Sequence, residues 1–175
     1  MYLLEKTLDQ AKVRIKLLGS GTILNEVRKA AASLAEHFQI GADIFSVTSF
    51  SELRREALSV ERRKYSNPKS KDQPYVTQCL SESATPVLAA TDYVRLQAEQ
   101  IAAFVPNRYH VLGTDGYGRS GTRAQLRHFF EVDENYIAYH AIWLLQQEGH
   151  CDEDLLEKAA KHYDIDPNKQ DPVTL

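Results

Sequence analysis

The sequence is poor in the residues and patterns that mark secreted, membrane and metal-binding proteins. Only two cysteines, Cys79 and Cys151, occur in 175 residues, too few and too far apart for a disulfide framework or a zinc-ligand spacing. No apolar run approaches the roughly 18 residues that a membrane-spanning helix needs. Residues 1–6 lack the basic flank and apolar stretch of a signal peptide. We therefore expect a cytoplasmic protein with reduced thiols and no membrane partner.

Charge excess and catalytic motifs are also scarce. The formal net charge is −3, so no positive surplus favours nucleic acid as a partner. The sequence contains no nucleophile elbow, no HExxH and no CxxC motif, and its six histidines stand at no zinc-like spacing. With 43% hydrophobic and 26% charged residues, the composition is that of an ordinary globular protein. A chain of this length is most simply one domain, residues 1–175.

The hydrophobic pattern predicts strands and helices in alternation. Runs of apolar and β-branched residues predict four strands, at residues 13–18, 44–47, 86–90 and 109–113. Apolar residues at three-to-four spacing predict helices at 22–38, 49–60, 91–105, 122–130, 133–148 and 152–163. Apolar strands that alternate with helices indicate an α/β fold with a mainly parallel sheet covered on both faces.

Capping and stop residues support several of these helix boundaries. Helix caps favour Ser, Thr and Asp at the start and glycine just past the end. The residues that should cap or stop the helices are Gly41, Ser49 with Glu52, Thr91, Pro106, Asp133, Gly149 and Asp152. The polar segment 66–74 is short, so we interpret it as a surface loop within one domain.

A glycine-rich segment after the fourth strand is the main candidate for a binding site. It runs Gly113-Thr114-Asp115-Gly116-Tyr117-Gly118-Arg119-Ser120-Gly121-Thr122-Arg123 and precedes a helix, and its arginines could hold a carboxylate or phosphate. The candidates for a substrate-entrance or anion-binding loop are Asp115, Tyr117, Arg119, Arg123 and His128. Turn chemistry favours a structural alternative, in which Asp115 and Ser120 satisfy loop amides and Gly116, Gly118 and Gly121 supply positive φ angles.

Two further features each allow two interpretations. The corner Gly19-Ser20-Gly21-Thr22 could hold a phosphate at a helix N-terminus. Without a GxGxxG or P-loop motif, however, it favours a tight strand-to-helix turn. The predicted helix 133–148 is apolar around nearly its whole circumference, so it is either buried on several sides or faces a partner.

Four segments of the sequence resemble one enzyme family. They are Leu17-Leu18-Gly19-Ser20-Gly21, Ser46-Val47-Thr48-Ser49-Phe50-Ser51-Glu52-Leu53, Ala90-Thr91-Asp92-Tyr93, and residues 111–120 with Leu126-Arg127-His128-Phe129-Phe130-Glu131-Val132-Asp133. In this order they are similar to the C-terminal domain of the bacterial homodimeric pyruvate dehydrogenase E1 component, in the transketolase-like, thiamine-diphosphate-dependent group. The resemblance extends over essentially the whole chain.

The resemblance implies a fold, a parent enzyme and a set of partners. The fold would be a three-layer α/β/α unit with a five-stranded, mostly parallel mixed sheet, the third domain of a longer homodimeric chain. The parent would decarboxylate pyruvate oxidatively with thiamine diphosphate and Mg²⁺. It would then acetylate the lipoyl group of its E2 partner, dihydrolipoyl acetyltransferase. The other two E1 domains would hold the cofactor, and the third would lie near the active-site entrance.

The family's cofactor motif, Gly-Asp-Gly followed by Asn-Asn, does not occur in this sequence. We therefore assign no catalytic, cofactor-binding or metal-binding residue to the chain and expect it to be catalytically silent alone. One alternative is a stand-alone α/β module that binds a phosphorylated or carboxylated small molecule at the carboxyl ends of its strands. Another is an element that self-associates through the apolar helix 133–148.

Overall fold

The computed structural model describes residues 1–174 and shows a five-stranded mixed sheet with helices on both faces. In chain order the strands are β1 (Tyr2–Thr7), β2 (Val13–Gly19), β3 (Ile40–Ser46), β4 (Val87–Ala90) and β5 (Tyr109–Leu112). Their spatial order is β1-β3-β2-β4-β5. β1 is antiparallel to β3, and all other neighbours are parallel. The α/β fold class and the five-stranded, mostly parallel sheet are thus confirmed.

Seven α-helices connect and cover the strands within residues 1–174. They are α1 (Leu24–Phe38), α2 (Phe50–Ser66), α3 (Tyr75–Leu80), α4 (Leu96–Glu99), α5 (Arg123–Phe129), α6 (Glu134–Gln147) and α7 (Glu153–His162). Short 3₁₀ turns occur at Gly21–Ile23, Ala102–Phe104 and Pro172–Thr174. In this described part of the chain, no helix has both the length and the hydrophobicity that crossing a bilayer requires.

The central strand β2 contributes to two separate hydrophobic cores. Ile15 and Leu17 pack with α1, α6 and α7 on one face of the sheet. Leu18 packs with α2, α3 and α4 on the other face. Because successive side chains of a strand point to opposite faces, burial on both sides requires a layer of helices on each. The three-layer α/β/α arrangement is confirmed.

Lys16 is a charged residue at the centre of this sheet. It is only 2% exposed, and its Nζ donates hydrogen bonds of 2.7 Å to the backbone carbonyls of Leu80 and Ser83. Burial lowers the pKa of the amine, against the opposing attraction of Asp43 and Glu82. The two carbonyls supply the polar partners that a buried ammonium group needs, so Lys16 joins β2 to the end of α3.

The edge strand β1 and the short helix α3 were not predicted. In β1 the side chains of Tyr2, Leu3 and Leu4 are all exposed, so no alternation of buried and exposed residues marks the segment as a strand. β1 forms because its backbone pairs with β3, from Tyr2 opposite Ser46 to Thr7 opposite Ala42. An edge strand of this kind depends on its neighbour and carries little pattern of its own.

The prediction of one long helix over 91–105 was wrong. The structure has only the four-residue α4 and a 3₁₀ turn there, and Tyr93 and Val94 are exposed. The backbone of this segment bonds instead to the corner after β5. Thr114 N donates to Tyr93 O at 2.9 Å, and Arg95 N donates to the Asp115 carboxylate at 3.3 Å. These tertiary bonds replace the first turn of the expected helix.

The prediction that Gly41 ends the first helix was also wrong. The helix ends at Phe38 and is followed by the capping residue Gln39, which adopts a left-handed conformation with φ 56°. Gly41 lies inside β3, where an added Cβ would collide with the guanidinium of Arg14. That guanidinium forms an ion pair with Asp43 at 2.5 Å. Gly41 therefore makes room for an ion pair that holds β2 to β3.

The helix starts predicted at Ser49, Asp133 and Asp152 and the stop at Gly149 are confirmed. The cap predicted at Thr91 and the stop predicted at Pro106 were wrong together with the 91–105 helix, and α2 continues to Ser66, past the predicted end at residue 60. Ser49, Asp133 and Asp152 each accept a hydrogen bond from the backbone N–H three residues ahead. Gly149, with φ 74°, follows α6. α6 itself packs against α1 and α7, and its apolar residues lie in the core on that side of the sheet. Its unusual hydrophobicity is thus explained by burial on several sides.

Candidate functional site

The candidate site lies where the chain changes direction across the sheet. From β2 the chain passes through α1 to β3 on one side, and from β4 it passes through α4 to β5 on the other. Crossovers between parallel strands are right-handed, so two crossovers that run towards opposite edges of the sheet place their helices on opposite faces. α1 and α4 accordingly belong to the two different hydrophobic cores. The gap that this leaves beyond the carboxyl ends of β2 and β4 is where open α/β sheets bind ligands.

A cleft of about 600 Å³ occupies this position, and we call it the switch-point cleft. Its walls come from the corners after β2, β4 and β5 and from α5. The lining residues are Thr22, Ile23, Asp92, Thr114, Gly116, Gly118, Arg119, Gly121, Arg123, Leu126, Arg127, Phe130 and Val132. The two glycine-containing corners that the sequence singled out therefore meet in one cleft.

Three arginines give the cleft a basic wall. Arg127 is engaged within the fold, because Nη1 lies 2.8 Å from Glu26 Oε1 and Nη2 donates to Thr22 Oγ1 at 3.2 Å. Arg119 lies with its guanidinium carbon 5.0 Å from the centre of the Phe129 ring. Neither Arg119 nor Arg123 forms an ion pair with any residue in 1–174. Their charge is available to an anion.

Asp92 contributes a carboxylate to the lining of the same cleft. Thr22 Oγ1 lies 3.5 Å from its Oδ2, and Thr114 Oγ1 donates to its backbone carbonyl at 2.9 Å. The backbone of Gly21, with φ 54°, lies close to this carboxylate, since a Cβ added to Gly21 would lie 3.4 Å from Asp92 Oδ1. No cation of residues 1–174 forms an ion pair with Asp92. The cleft thus carries unpaired charges of both signs.

Only part of the structural interpretation of the 113–123 loop is confirmed. Among its candidate glycines, Gly116 alone has a positive φ angle, 103°, and Gly118 and Gly121 do not. Gly113 matters for a different reason: an added Cβ would lie 2.7 Å from Tyr93 O and 2.8 Å from Arg95 N. Thr122 caps α5 through a complete capping box with Gln125. The Thr-x-x-Gln spacing is visible in the sequence, although only a helix start near Thr122 was predicted there.

The structure separates the five candidate residues. Arg119 and Arg123 line the switch-point cleft. Asp115 turns away, where it accepts the hydrogen bond from Arg95 N. Tyr117 is 79% exposed and lines neither this cleft nor the second cavity described below. His128 Nδ1 lies 3.0 Å from Asp133 Oδ2, at the cap of α6.

Arg127 and Asp92 are cleft residues that the sequence interpretation did not include among its candidates. The signal for Arg127 was present, because it follows Arg123 by four residues and so shares one face of a helix. Asp92 had no such signal. Its position depends on the pairing of β4 with β2, in which the paired residues lie 71 positions apart in the chain, from Lys16 opposite Val87 to Gly19 opposite Ala90.

A second cavity of about 360 Å³ lies beside β5. His110 and His140 stack there with ring centres 5.6 Å apart, beside Trp143. Burial lowers the pKa of each histidine to about 4, and nearby Arg95 adds to the effect. Both rings are therefore neutral near pH 7. The cavity is also lined by Asp115, Glu131 and Lys169, so it carries charges of both signs.

Metal-binding side chains are not gathered in either cavity. Across residues 1–174 no three histidine, cysteine, aspartate or glutamate side chains lie together as a metal site would need. The switch-point cleft offers one carboxylate, Asp92, with two free guanidinium groups. This donor set suits an anion and does not fit a magnesium-bound diphosphate, which needs several oxygen ligands for the ion.

Comparison with known proteins identifies the family. The family model described as "Transketolase-like TK C-terminal domain" matches residues 1–133, about three quarters of the chain. The chain belongs to the transketolase-like C-terminal domain family. The match includes all five strands and the whole glycine-rich loop, so the switch-point cleft lies largely within the family's common fold.

Several curated relatives of this transketolase-like C-terminal domain are named "Pyruvate dehydrogenase E1 component". The protein from Pseudomonas aeruginosa is 48% identical over 175 residues, covering 99% of this chain. The one from Cupriavidus necator is 44% identical over the full chain, and that from Escherichia coli K12 is 42% identical over 98% of it. The chain spans about one fifth of the length of these relatives.

Proposed function

We propose that the 175 residues form one domain of a pyruvate dehydrogenase E1 enzyme, its C-terminal domain. The observation that supports this most is the extent of the match: nearly the whole chain aligns at 48% identity with a fifth of an E1 component. The parent enzyme would act in the cytoplasm as a homodimer, decarboxylating pyruvate oxidatively and acetylating the lipoyl group of its E2 partner. The remaining E1 domains are the other partners that this proposal requires.

In this proposal the chain itself is catalytically silent. The cofactors of the parent are thiamine diphosphate and Mg²⁺, and the residues that would hold them belong to the other domains. The donor set of the switch-point cleft supports this division, because one carboxylate beside free arginines is a poor site for a magnesium diphosphate. The chain's own part would be to build the dimer and one wall of the approach to the active site.

A chimera tests the proposed parent activity. The segment of the Pseudomonas aeruginosa E1 component that aligns with this chain is replaced by residues 1–175, and pyruvate-dependent reduction of an artificial electron acceptor is measured with thiamine diphosphate and Mg²⁺. We expect activity within about tenfold of the unmodified enzyme, because the packing surfaces between domains would be shared. A folded chimera without activity would contradict the proposal.

The silence of the isolated chain is tested separately. With pyruvate, thiamine diphosphate and Mg²⁺, the 175-residue chain should release CO₂ no faster than buffer, and calorimetry should detect no heat of cofactor binding. The P. aeruginosa enzyme truncated before the aligned segment is the matched control for what the remaining domains do alone. Turnover by the isolated chain would overturn the assignment of all chemistry to other domains.

A further inference from the structure

The switch-point cleft holds two guanidinium groups, of Arg119 and Arg123, that form no ion pair within residues 1–174, although that of Arg119 lies 5.0 Å from the centre of the Phe129 ring. Arg127, the third arginine of the cleft, illustrates a structural role: it is mostly buried and bonded to Glu26 and Thr22. Arg119 and Arg123 are exposed and donate no hydrogen bond to any residue in 1–174. Two like charges lining one cleft repel each other, and the repulsion is relieved when an anion lies between them.

The rest of the cleft limits what that anion can be. Ile23 and Val132 are buried in its floor, each 1% exposed, and Leu126 and Phe130 add further apolar surface. Asp92 supplies a carboxylate with no cationic partner, beside the hydroxyl groups of Thr22 and Thr114. A volume of about 600 Å³ exceeds that of an inorganic ion and leaves room for an organic portion.

We propose that the switch-point cleft binds a small phosphate monoester whose organic portion carries hydroxyl groups. The phosphate would lie between Arg119 and Arg123, and a hydroxyl group would donate to the carboxylate of Asp92. A dianionic phosphate matches two free guanidinium groups better than a single carboxylate does, since each guanidinium can form paired hydrogen bonds to it. The proposal stands on the cleft alone and does not depend on the proposed parent enzyme.

Two-dimensional NMR titration of the 175-residue chain tests the proposal. The probes are glycerol 3-phosphate, adenosine 5′-monophosphate, inorganic phosphate and glycerol. We expect saturable amide shifts with either ester, centred on residues 21–23, 92, 114 and 118–127, weaker shifts with phosphate and none with glycerol. Tighter binding of the nucleotide than of the glycerol ester would show that the apolar surface contacts a base, and the reverse would favour a small polyol ester.

Variants separate the two ends of the cleft. Arg119→Ala and Arg123→Ala should each weaken binding of both esters about tenfold or more, as expected for loss of one charged hydrogen-bonding partner. Asp92→Asn should weaken the esters while leaving the affinity for inorganic phosphate unchanged or improved. Arg119→Lys keeps the charge and loses the paired hydrogen bonds, so its affinity for the esters should lie between those of the unmodified 175-residue chain and of Arg119→Ala.

Arg54→Ala is the matched control, because Arg54 is exposed on α2 and lies outside the cleft. This variant should bind both esters with the affinity of the unmodified 175-residue chain. The proposal is overturned if neither ester saturates the chain by about 10 mM, a concentration above most small-ligand dissociation constants. It is also overturned if the amide shifts map elsewhere on the chain. The same holds if folded Arg119→Ala and Arg123→Ala variants bind the esters as tightly as the unmodified 175-residue chain.

Discussion

Arg127 and Glu26 form an ion pair of 2.8 Å that joins α5 to α1 across a hundred residues of sequence. Both side chains are largely removed from solvent, at 17% and 6% exposure. The pair closes one wall of the switch-point cleft and fixes α5 against the start of α1. By fixing α5, this contact also positions Arg123, the first residue of α5, and Arg119 in the loop before it.

Breaking this pair should destabilise the fold. For Arg127→Ala we expect a loss of about 1–3 kcal/mol in the free energy of unfolding, because the buried Glu26 carboxylate loses its closer partner and keeps only the more exposed Lys29, at 3.4 Å. Glu26→Gln should cost less, since the amide can still accept the hydrogen bond from the arginine. Urea denaturation followed by circular dichroism measures both.

The exposed pair of Arg55 with Glu52 on α2 provides the comparison. Arg55→Ala should change the unfolding free energy by less than about 1 kcal/mol, because exposed ion pairs are weakened by water and salt. Equal losses for Arg127→Ala and Arg55→Ala would show that burial gives the Arg127–Glu26 pair no special weight.

Gly113 should tolerate no larger residue. In Gly113→Ala the new Cβ would lie 2.7 Å from Tyr93 O, so the corner after β5 must move away from the segment after β4. We expect a loss of about 1–3 kcal/mol in unfolding free energy, typical of overpacking. Gly118→Ala, where nothing lies within 4 Å of the added Cβ, should stay within about 0.5 kcal/mol of the parent chain. A similar loss at both positions would contradict the close-approach explanation.

His140 should make the fold sensitive to acid. Burial lowers its pKa to about 4 in the folded chain, against about 6.5 when unfolded. The unfolded chain therefore binds more protons between these values, and stability is lost as the pH falls from 6.5 towards 4, by on the order of 3 kcal/mol. The stacked His110, with a pKa also lowered to about 4, adds to the loss in the same direction.

This contribution is isolated by measuring the unfolding free energies of the unmodified 175-residue chain and of His140→Leu from pH 7 to pH 4.5. The titration of the carboxylates common to both chains cancels in the difference between the two. The difference between the two should shift in favour of the variant as the pH falls. His150→Leu, at an exposed position, controls for the loss of a histidine from the surface. A constant difference across the range would show that His140 does not titrate with folding.

Local patterns were enough to predict most of the fold. The four strands β2 to β5 and the caps Ser49, Asp133 and Asp152 were predicted because their signals are short-range. The helix over 91–105 failed because its backbone groups found partners 20 residues later, at Thr114 and Asp115. β1 was missed because an exposed edge strand is specified by its neighbour β3.

In the candidate site, too, local sequence signals predicted some residues and contacts between distant segments decided the others. Arg119 and Arg123 were predicted from their place in a glycine-rich loop, and both line the cleft. Asp115 and His128 were grouped with them by proximity in sequence, yet one bonds to Arg95 and the other lies beside Asp133. Asp92 was overlooked, because only the pairing of β4 with β2 brings its corner to the same cleft.

The sequence by itself determined the α/β class, the buried strands and most helix boundaries, because hydrophobic periodicity and capping act over a few residues. Tertiary structure alone decided that the corners after β2, β4 and β5 share one cleft. It also decided that Arg127 pairs with Glu26 while Arg119 and Arg123 keep their charges free. Those outcomes depend on contacts between distant segments, which form only when the sheet has assembled.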